Sequence, residues 1–210
     1  MRKTNKIAFL LAVFTLSAAT TAKAEIVEIA ITATVNYVSD SGNYLEGKIT
    51  NGSIITGSYK YESTTADSSP SDPTQGNYWH YVSPYGVLLT VGGFDFRTDF
   101  DNVNFLVSIG NNASGQDNYL LRSYDNSSLS NGTPVYHISW QLDDYTATAF
   151  SSDVLPITAP ILSQWQSNEL RLEGDKTFLI RAEVTDAVVI PEPTTILLLG
   201  LGIVFLKRRN

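Results

Sequence analysis

Two histidines, His80 and His137, are the only imidazoles in the chain, and cysteine is absent. A nucleophilic triad needs a base. His137 offers one beside Ser139 on the polar face of an alternating segment that ends at Asp143 and Asp144. A serine hydrolase can be drawn from these residues, but no G-x-S-x-G elbow accompanies them, and an exposed strand histidine accounts for the pattern. Composition excludes thiol catalysis. Zinc would need carboxylates to complete a set that two distant histidines cannot supply. No catalytic residue is assigned, and the chain is not expected to be an enzyme.

Carboxylates are plentiful. Asp95, Asp99, Asp101, Asp117, Asp143, Asp144, Glu46 and Glu62 could in principle supply the acid and nucleophile of a glycosidase. No spacing singles out such a pair, and a solvated acidic surface explains them. Hard oxygen ligands also suit calcium, and Asp99, Asp101, Asp143 and Asp144 are the weak candidates, none within a full D-x-[DN]-x-[DN]-G loop. No other cofactor is expected.

Aromatic side chains give the best sign of binding. Tyr78, Trp79, His80, Tyr81 and Tyr85 lie close together, and flat rings beside carboxylates and amides grip sugars, ring against apolar face and polar rim against hydroxyls. A strand here sends Tyr78, His80 and Val82 to one face and Trp79, Tyr81 and Ser83 to the other, so only one set can be buried. Tyr78, Trp79 and Tyr81 are the candidate carbohydrate-binding residues.

The elements that must position these groups read as β-strands. Ile29, Ile31, Ala33, Val35 and Tyr37 alternate with Ala30, Thr32, Thr34 and Asn36, the period of a half-buried strand. The same period returns over 55–62, 103–109, 136–142 and 178–184, with shorter strands predicted at 79–82, 87–91, 94–98 and 119–124. In 136–142 it places Tyr136, Ile138, Trp140 and Leu142 on one face. Turn signals such as Asn51-Gly52, Gly92-Gly93 and Asn131-Gly132 separate these runs. Residues 161–168 could form a helical turn after Pro160. Many short strands and polar turns predict an all-β fold, a single antiparallel β-sandwich of jelly-roll type.

Both ends carry different signals. Arg2, Lys3 and Lys6, the apolar run 7–16 and Ala22-Lys23-Ala24 make a secretory signal peptide over 1–24. The other end reads Pro191-Glu192-Pro193, an eleven-residue apolar run from Ile196 to Leu206, then the basic stop cluster Lys207-Arg208-Arg209. Eleven residues are short for a permanent span, which takes roughly 20, so a short, transient C-terminal transmembrane helix is expected, its cations on the cytoplasmic side. The domains are therefore 1–24, a β-sandwich ectodomain over 25–186, and a sorting segment over 187–210. Between the ends stand seven cations against 21 anions, a net charge of −14. Such a surface repels nucleic acid.

The order Pro-Glu-Pro, apolar run and basic cluster resembles the PEP-CTERM sorting signal of bacteria, with Ile190 and Thr194 as mild departures. That resemblance implies recognition of Pro191-Glu192-Pro193 by an exosortase, a membrane-embedded cysteine protease, with removal or transfer of the tail. Thr56 to Tyr61, Thr64 to Pro70, Gly76-Asn77-Tyr78, Val91 to Phe96 and Thr148 to Pro156 are similar to an uncharacterised group of secreted PEP-CTERM proteins, which implies a β-rich exported domain. Signal peptidase and exosortase are the expected partners, with exopolysaccharide as a further one. The expected location is the cell envelope or the extracellular space, with transient anchoring by the C-terminus. The expected role is non-enzymatic, structural or adhesive in a surface or matrix. A carbohydrate-binding module is the first alternative and a secreted glycoside hydrolase or lyase the second.

Overall fold

The computed structural model describes residues 26–191. Ten strands, β1 (Ile26–Ser39), β2 (Ile54–Glu62), β3 (Gln75–His80), β4 (Gly86–Val91), β5 (Phe94–Arg97), β6 (Phe105–Ala113), β7 (Gln116–Ser123), β8 (His137–Asp144), β9 (Ser167–Glu173) and β10 (Leu179–Ile190), form one antiparallel sheet in the order β3-β6-β7-β8-β9-β10-β1-β2-β4-β5. The predicted alternation is met where β-branched residues are densest. Val27, Ile29, Ile31, Ala33 and Val35 are all buried on one face of β1.

The all-β expectation holds, but a two-sheet jelly roll does not. One sheet curls into a half-barrel and encloses its own concave face. Strands five places apart in a flat sheet would lie about 24 Å from one another at the usual strand spacing, yet the hydroxyls of Tyr59 on β2 and Tyr119 on β7 are 2.9 Å apart. Tyr59 also meets the edge of Trp140 on β8 (ring centres 6.0 Å apart), and Phe96 on β5 meets Phe178 just before β10 (5.9 Å). The interior is thus an aromatic core, with Trp140, Tyr59, Tyr61, Tyr119, Phe94, Phe96 and Phe105 all sealed from solvent. Large rings reach across a curled sheet where aliphatic side chains would leave gaps.

Two elements depart from expectation. Residues 161–168 hold only a short 3-10 turn (Leu162–Gln164), after which β9 begins. In β9, Leu170 and Leu172 point inward while Glu169, Arg171 and Glu173 face out. β3 starts earlier than expected and ends at His80, because its partner strand begins at Phe105, opposite His80. The loop before it is drawn tight by Asp67, whose carboxylate accepts the N–H groups of Ser69 (2.9 Å) and Asn77 (2.8 Å).

Gly57 is required where β2 passes β4. It has φ 156°, and a Cβ there would overlap the Leu88 carbonyl oxygen. Backbone cannot yield as a flexible side chain does, so Gly57→Ala is expected to cost more than about 2 kcal/mol of folding stability in a denaturant titration. A change under about 0.5 kcal/mol would show that β4 can move aside.

β10 lies between β9 and β1. Its pairing with β1 runs on through Ala187, Val188, Val189 and Ile190, so the ladder extends past residue 186 and reaches Pro191 without a spacer. Pro191 has no N–H to continue the ladder. The predicted signal peptide, apolar tail helix and basic cluster lie outside the described residues, and among those described no helix is long and apolar enough to cross a membrane.

Candidate functional site

On the convex face, side chains of β3 and β8 and of the segments that follow β3 and β7 and precede β8 form a row of rings. Trp79 stacks on Tyr81 with centres 6.0 Å apart and planes 3° from parallel, and on Tyr124 at 5.6 Å. Tyr124 meets His137 edge-on at 5.5 Å, and His137 lies against Tyr136 at 3.9 Å. The pairings β3-β6, β6-β7 and β7-β8 place Trp79 opposite Leu106, Leu106 opposite Arg122, and Arg122 opposite Ser139. Leu106 is buried among these neighbours. Tyr81 and Tyr136 are 64% and 52% exposed, so the row ends in rings that offer their faces to solvent.

Beyond Tyr136 the row opens into a cleft of about 540 Å³ lined by Tyr136, Glu173, Lys176, Phe178 and Leu179 among others. The guanidinium carbon of Arg122 lies 5.8 Å from the centre of the Tyr124 ring, within cation–π range. Burial, then the neighbouring charges of Arg122 and Arg171, hold the His137 imidazolium below the usual histidine range, with Glu173 opposing.

Of the three aromatic candidates, Trp79 and Tyr81 join this platform and Tyr78 does not. Alternation turns Tyr78 into the core, where it is 6% exposed and its hydroxyl donates to the Asp153 carbonyl (2.8 Å). Tyr136 departs the other way, since β8 begins at His137 and leaves Tyr136 outside the alternation while Val135 is buried. Tyr124, Arg122 and His137 completed the row unannounced. Their only local signal was a polar or aromatic side chain at a strand end.

The drawn triad is not brought together. His137 and Ser139 face outward at the start of β8, whereas Asp144 faces inward at its far end, about 20 Å along the strand at the usual rise per residue. His80 is a core side chain. Its Nε2 accepts the Glu62 N–H (3.1 Å) and meets the Thr65 hydroxyl (3.0 Å), and burial lowers its proton affinity.

Most of the acidic candidates already have partners within the protein, some on the backbone and some on side chains. Asp144 accepts N–H groups from Thr146 (2.8 Å), Thr148 (2.7 Å) and Ala149 (2.9 Å), together with the Thr146 hydroxyl (2.5 Å). Asp143 takes the Asn118 amide (2.7 Å) and the Gln141 amide (3.0 Å). Asp99 accepts the Asp101 N–H (3.1 Å) in an exposed turn. Glu46 pairs with Lys48, Glu62 takes hydroxyls of Thr64 and Tyr85, and Asp95 takes that of Thr90. Among the described residues no three His, Asp or Glu side chains gather to hold a metal ion.

These bonds have measurable consequences. The Thr146 hydroxyl first, then the N–H groups of Thr148, Thr146 and Ala149, hold the Asp144 carboxyl well below its ordinary 3.8, against the opposing pull of burial. A carboxylate held low in the folded state stabilises it above the ordinary value, and that contribution is lost as pH falls through the lowered one. Melting temperature should therefore fall steeply below about pH 4, and Asp144→Asn should flatten that fall. An unchanged acid slope would remove Asp144 from the explanation.

Asp117 performs a similar task across a longer gap. It is sealed from solvent, with one oxygen on the Asn112 N–H (2.7 Å) and the other on the Phe150 N–H (2.7 Å). Asp117→Ala leaves two donors without acceptors and should cost about 2–4 kcal/mol, read from denaturant midpoints.

By its described residues this is an all-β protein of one curled antiparallel sheet, with an aromatic platform on its convex side and a C-terminal ladder that runs into a Pro-Glu-Pro sequence. Residues 189–209 match the family model of the PEP-CTERM protein-sorting motif, so the chain carries that sorting signal. The match begins inside β10, whose last two residues pair with Ile29 and Glu28. No curated protein and no solved structure matches the chain. The motif implies export to the cell envelope or beyond and processing by an exosortase.

Proposed function

We propose that this exported PEP-CTERM protein is a non-enzymatic surface or matrix component that adheres to polysaccharide through its convex aromatic platform. The observation that carries this reading is the unbroken row Tyr81, Trp79, Tyr124, His137 and Tyr136. Rings partly open to solvent on one face of a sheet, with Trp79 and Tyr81 nearly parallel, present flat apolar surface to pyranose rings. Buried aromatics of the core cannot do this, and a surface chosen only for solubility would not keep rings in register across a sheet. Glu173 and the Arg122 guanidinium supply the polar rim. Several shallow contacts along a chain suit retention on a polymer, where affinity accumulates over repeated units.

The test is affinity electrophoresis of the exported protein through gels containing soluble polysaccharides. Retardation is expected, and Trp79→Ala, which removes the ring shared by two stacks, should weaken it by at least about tenfold while leaving the core intact. The same gels, assayed for new reducing ends, report any hydrolysis. Free migration through every polysaccharide would overturn the adhesive reading.

A further inference from the structure

One cation on the platform stands outside the ion pairs of the described residues. Anions outnumber cations three to one between the two ends, so carboxylates are available to pair every cation. Lys48, Lys60, Arg171 and Arg181 are so paired, with Glu46, Glu28, Glu169 with Glu173, and Glu169 respectively. Arg97, Arg122 and Lys176 take part in none of the ion pairs among the described residues, and of these Arg122 stands against a ring of the platform. It is half-buried on the ladder between Leu106 and Ser139, and its Nε is shut off from solvent without a hydrogen-bond acceptor.

A guanidinium keeps its charge at any relevant pH, and an unanswered donor in a desolvated position costs free energy. Its planar fork matches a carboxylate or sulfate, and beside a ring face its charge is less hydrated than an ammonium's. The surroundings reinforce this. Arg171 stands one strand beyond Ser139 on the same outward row, and Lys176 lines the adjoining cleft. The carboxylates of this region are Glu169 and Glu173, both already drawn to Arg171, and Asp175, which lines the cleft beside Lys176. Burial first, then the Arg122 charge, disfavours the His137 proton, with Glu173 opposing and Arg171 adding to it. The charge left unanswered on the platform is therefore the Arg122 guanidinium, in a chain that carries three anions for each cation between its ends.

We infer that the polymer taken by this platform is an acidic polysaccharide, with Arg122 seating the anionic group of one residue, a uronate carboxylate or a sulfate ester, while Trp79 and Tyr124 stack on the flanking sugars. This rests on the platform being the glycan site. It also explains how a chain whose segment between the two ends carries a net charge of −14 could hold a polyanion: attraction is confined to one patch, and repulsion elsewhere keeps the polymer in a single track.

The experiment compares retardation of the full exported protein by polygalacturonate, dextran sulfate and neutral dextran, at low and at high salt. Binding to a polyanion should exceed that to dextran by about tenfold or more and should weaken as salt screens the contact. Whichever polyanion binds more tightly identifies the anionic group. Arg122→Gln should reduce polyanion binding about 10- to 100-fold, with Arg122→Lys recovering part of it as a point charge without the fork. Competition by free galacturonate or inorganic sulfate on the unmodified protein gives the same reading without a variant. Equal or tighter binding to dextran, or polyanion binding indifferent to salt and to Arg122→Gln, would overturn the acidic-ligand inference and leave the platform standing. Free migration in all three gels would remove both.

Discussion

Trp140→Ala is expected to lower the unfolding free energy by about 3–5 kcal/mol, a large share of the roughly 5–15 kcal/mol that holds a domain of this size together. Trp140 is completely enclosed. It meets Tyr59 and Tyr119 edge-on, with centres 6.0 and 5.9 Å away. Its indole N–H donates to the Asn168 side-chain oxygen (2.9 Å), and the Asn168 amide donates to the Val184 carbonyl (2.7 Å). One side chain thus ties β8 to β2, β7, β9 and β10. Removing it leaves a cavity between two rigid rings that cannot close upon it, and takes the donor from Asn168. Trp140→Phe keeps most of the volume and should cost markedly less. Urea titrations of the two variants measure the difference, and a loss below about 1 kcal/mol for alanine would mean the curled sheet can collapse around the void.

Replacing the sorting motif (Pro191→Ala, Glu192→Ala and Pro193→Ala together) is expected to abolish processing by the exosortase. The motif is the recognition element implied by the family match, and these three changes remove its only carboxylate and both of its rigid rings. Intact mass spectrometry of the exported protein reads the outcome directly. The unmodified chain should lack the mass of its tail, whereas the variant should keep it. A variant processed at the normal rate would show that the apolar run and basic cluster suffice. Because the changes begin just after the last paired residue, Ile190, the ectodomain should melt at an unchanged temperature, which separates a sorting defect from a folding one.

Much of the fold was legible because burial in β1, β2 and β10 is one-sided and the residues that fill it are β-branched or aromatic. Ile29 to Val35 could hardly be read otherwise. β9 was equally legible in its Leu170–Leu172 alternation, but Pro160 and the residues after it drew the helical reading. Sheet order was beyond reach, since neighbours such as β3 and β6 are set by which faces fit, not by proximity along the chain. The candidate site divides on the same line. Trp79 and Tyr81 could be placed opposite Tyr78 from period alone, but joining them to Tyr124 and His137 requires the β3-β6-β7-β8 order. The acids were misjudged for a related reason. A carboxylate that accepts three backbone N–H groups looks, in sequence, the same as one that waits for calcium.

β10 is the final strand of the body and stands near the middle of the sheet, with β9 on one side and β1 on the other. Along the chain β1 therefore comes first and its partner last, with the rest of the domain between them. Until β10 is in place the β1 and β9 flanks are unpaired edges, the kind that invite aggregation or a holding chaperone. Since Pro191 follows Ile190 at once, the strand that completes the sheet directly precedes the sorting motif. The signal that marks the tail for processing thus adjoins the piece of chain that closes the fold.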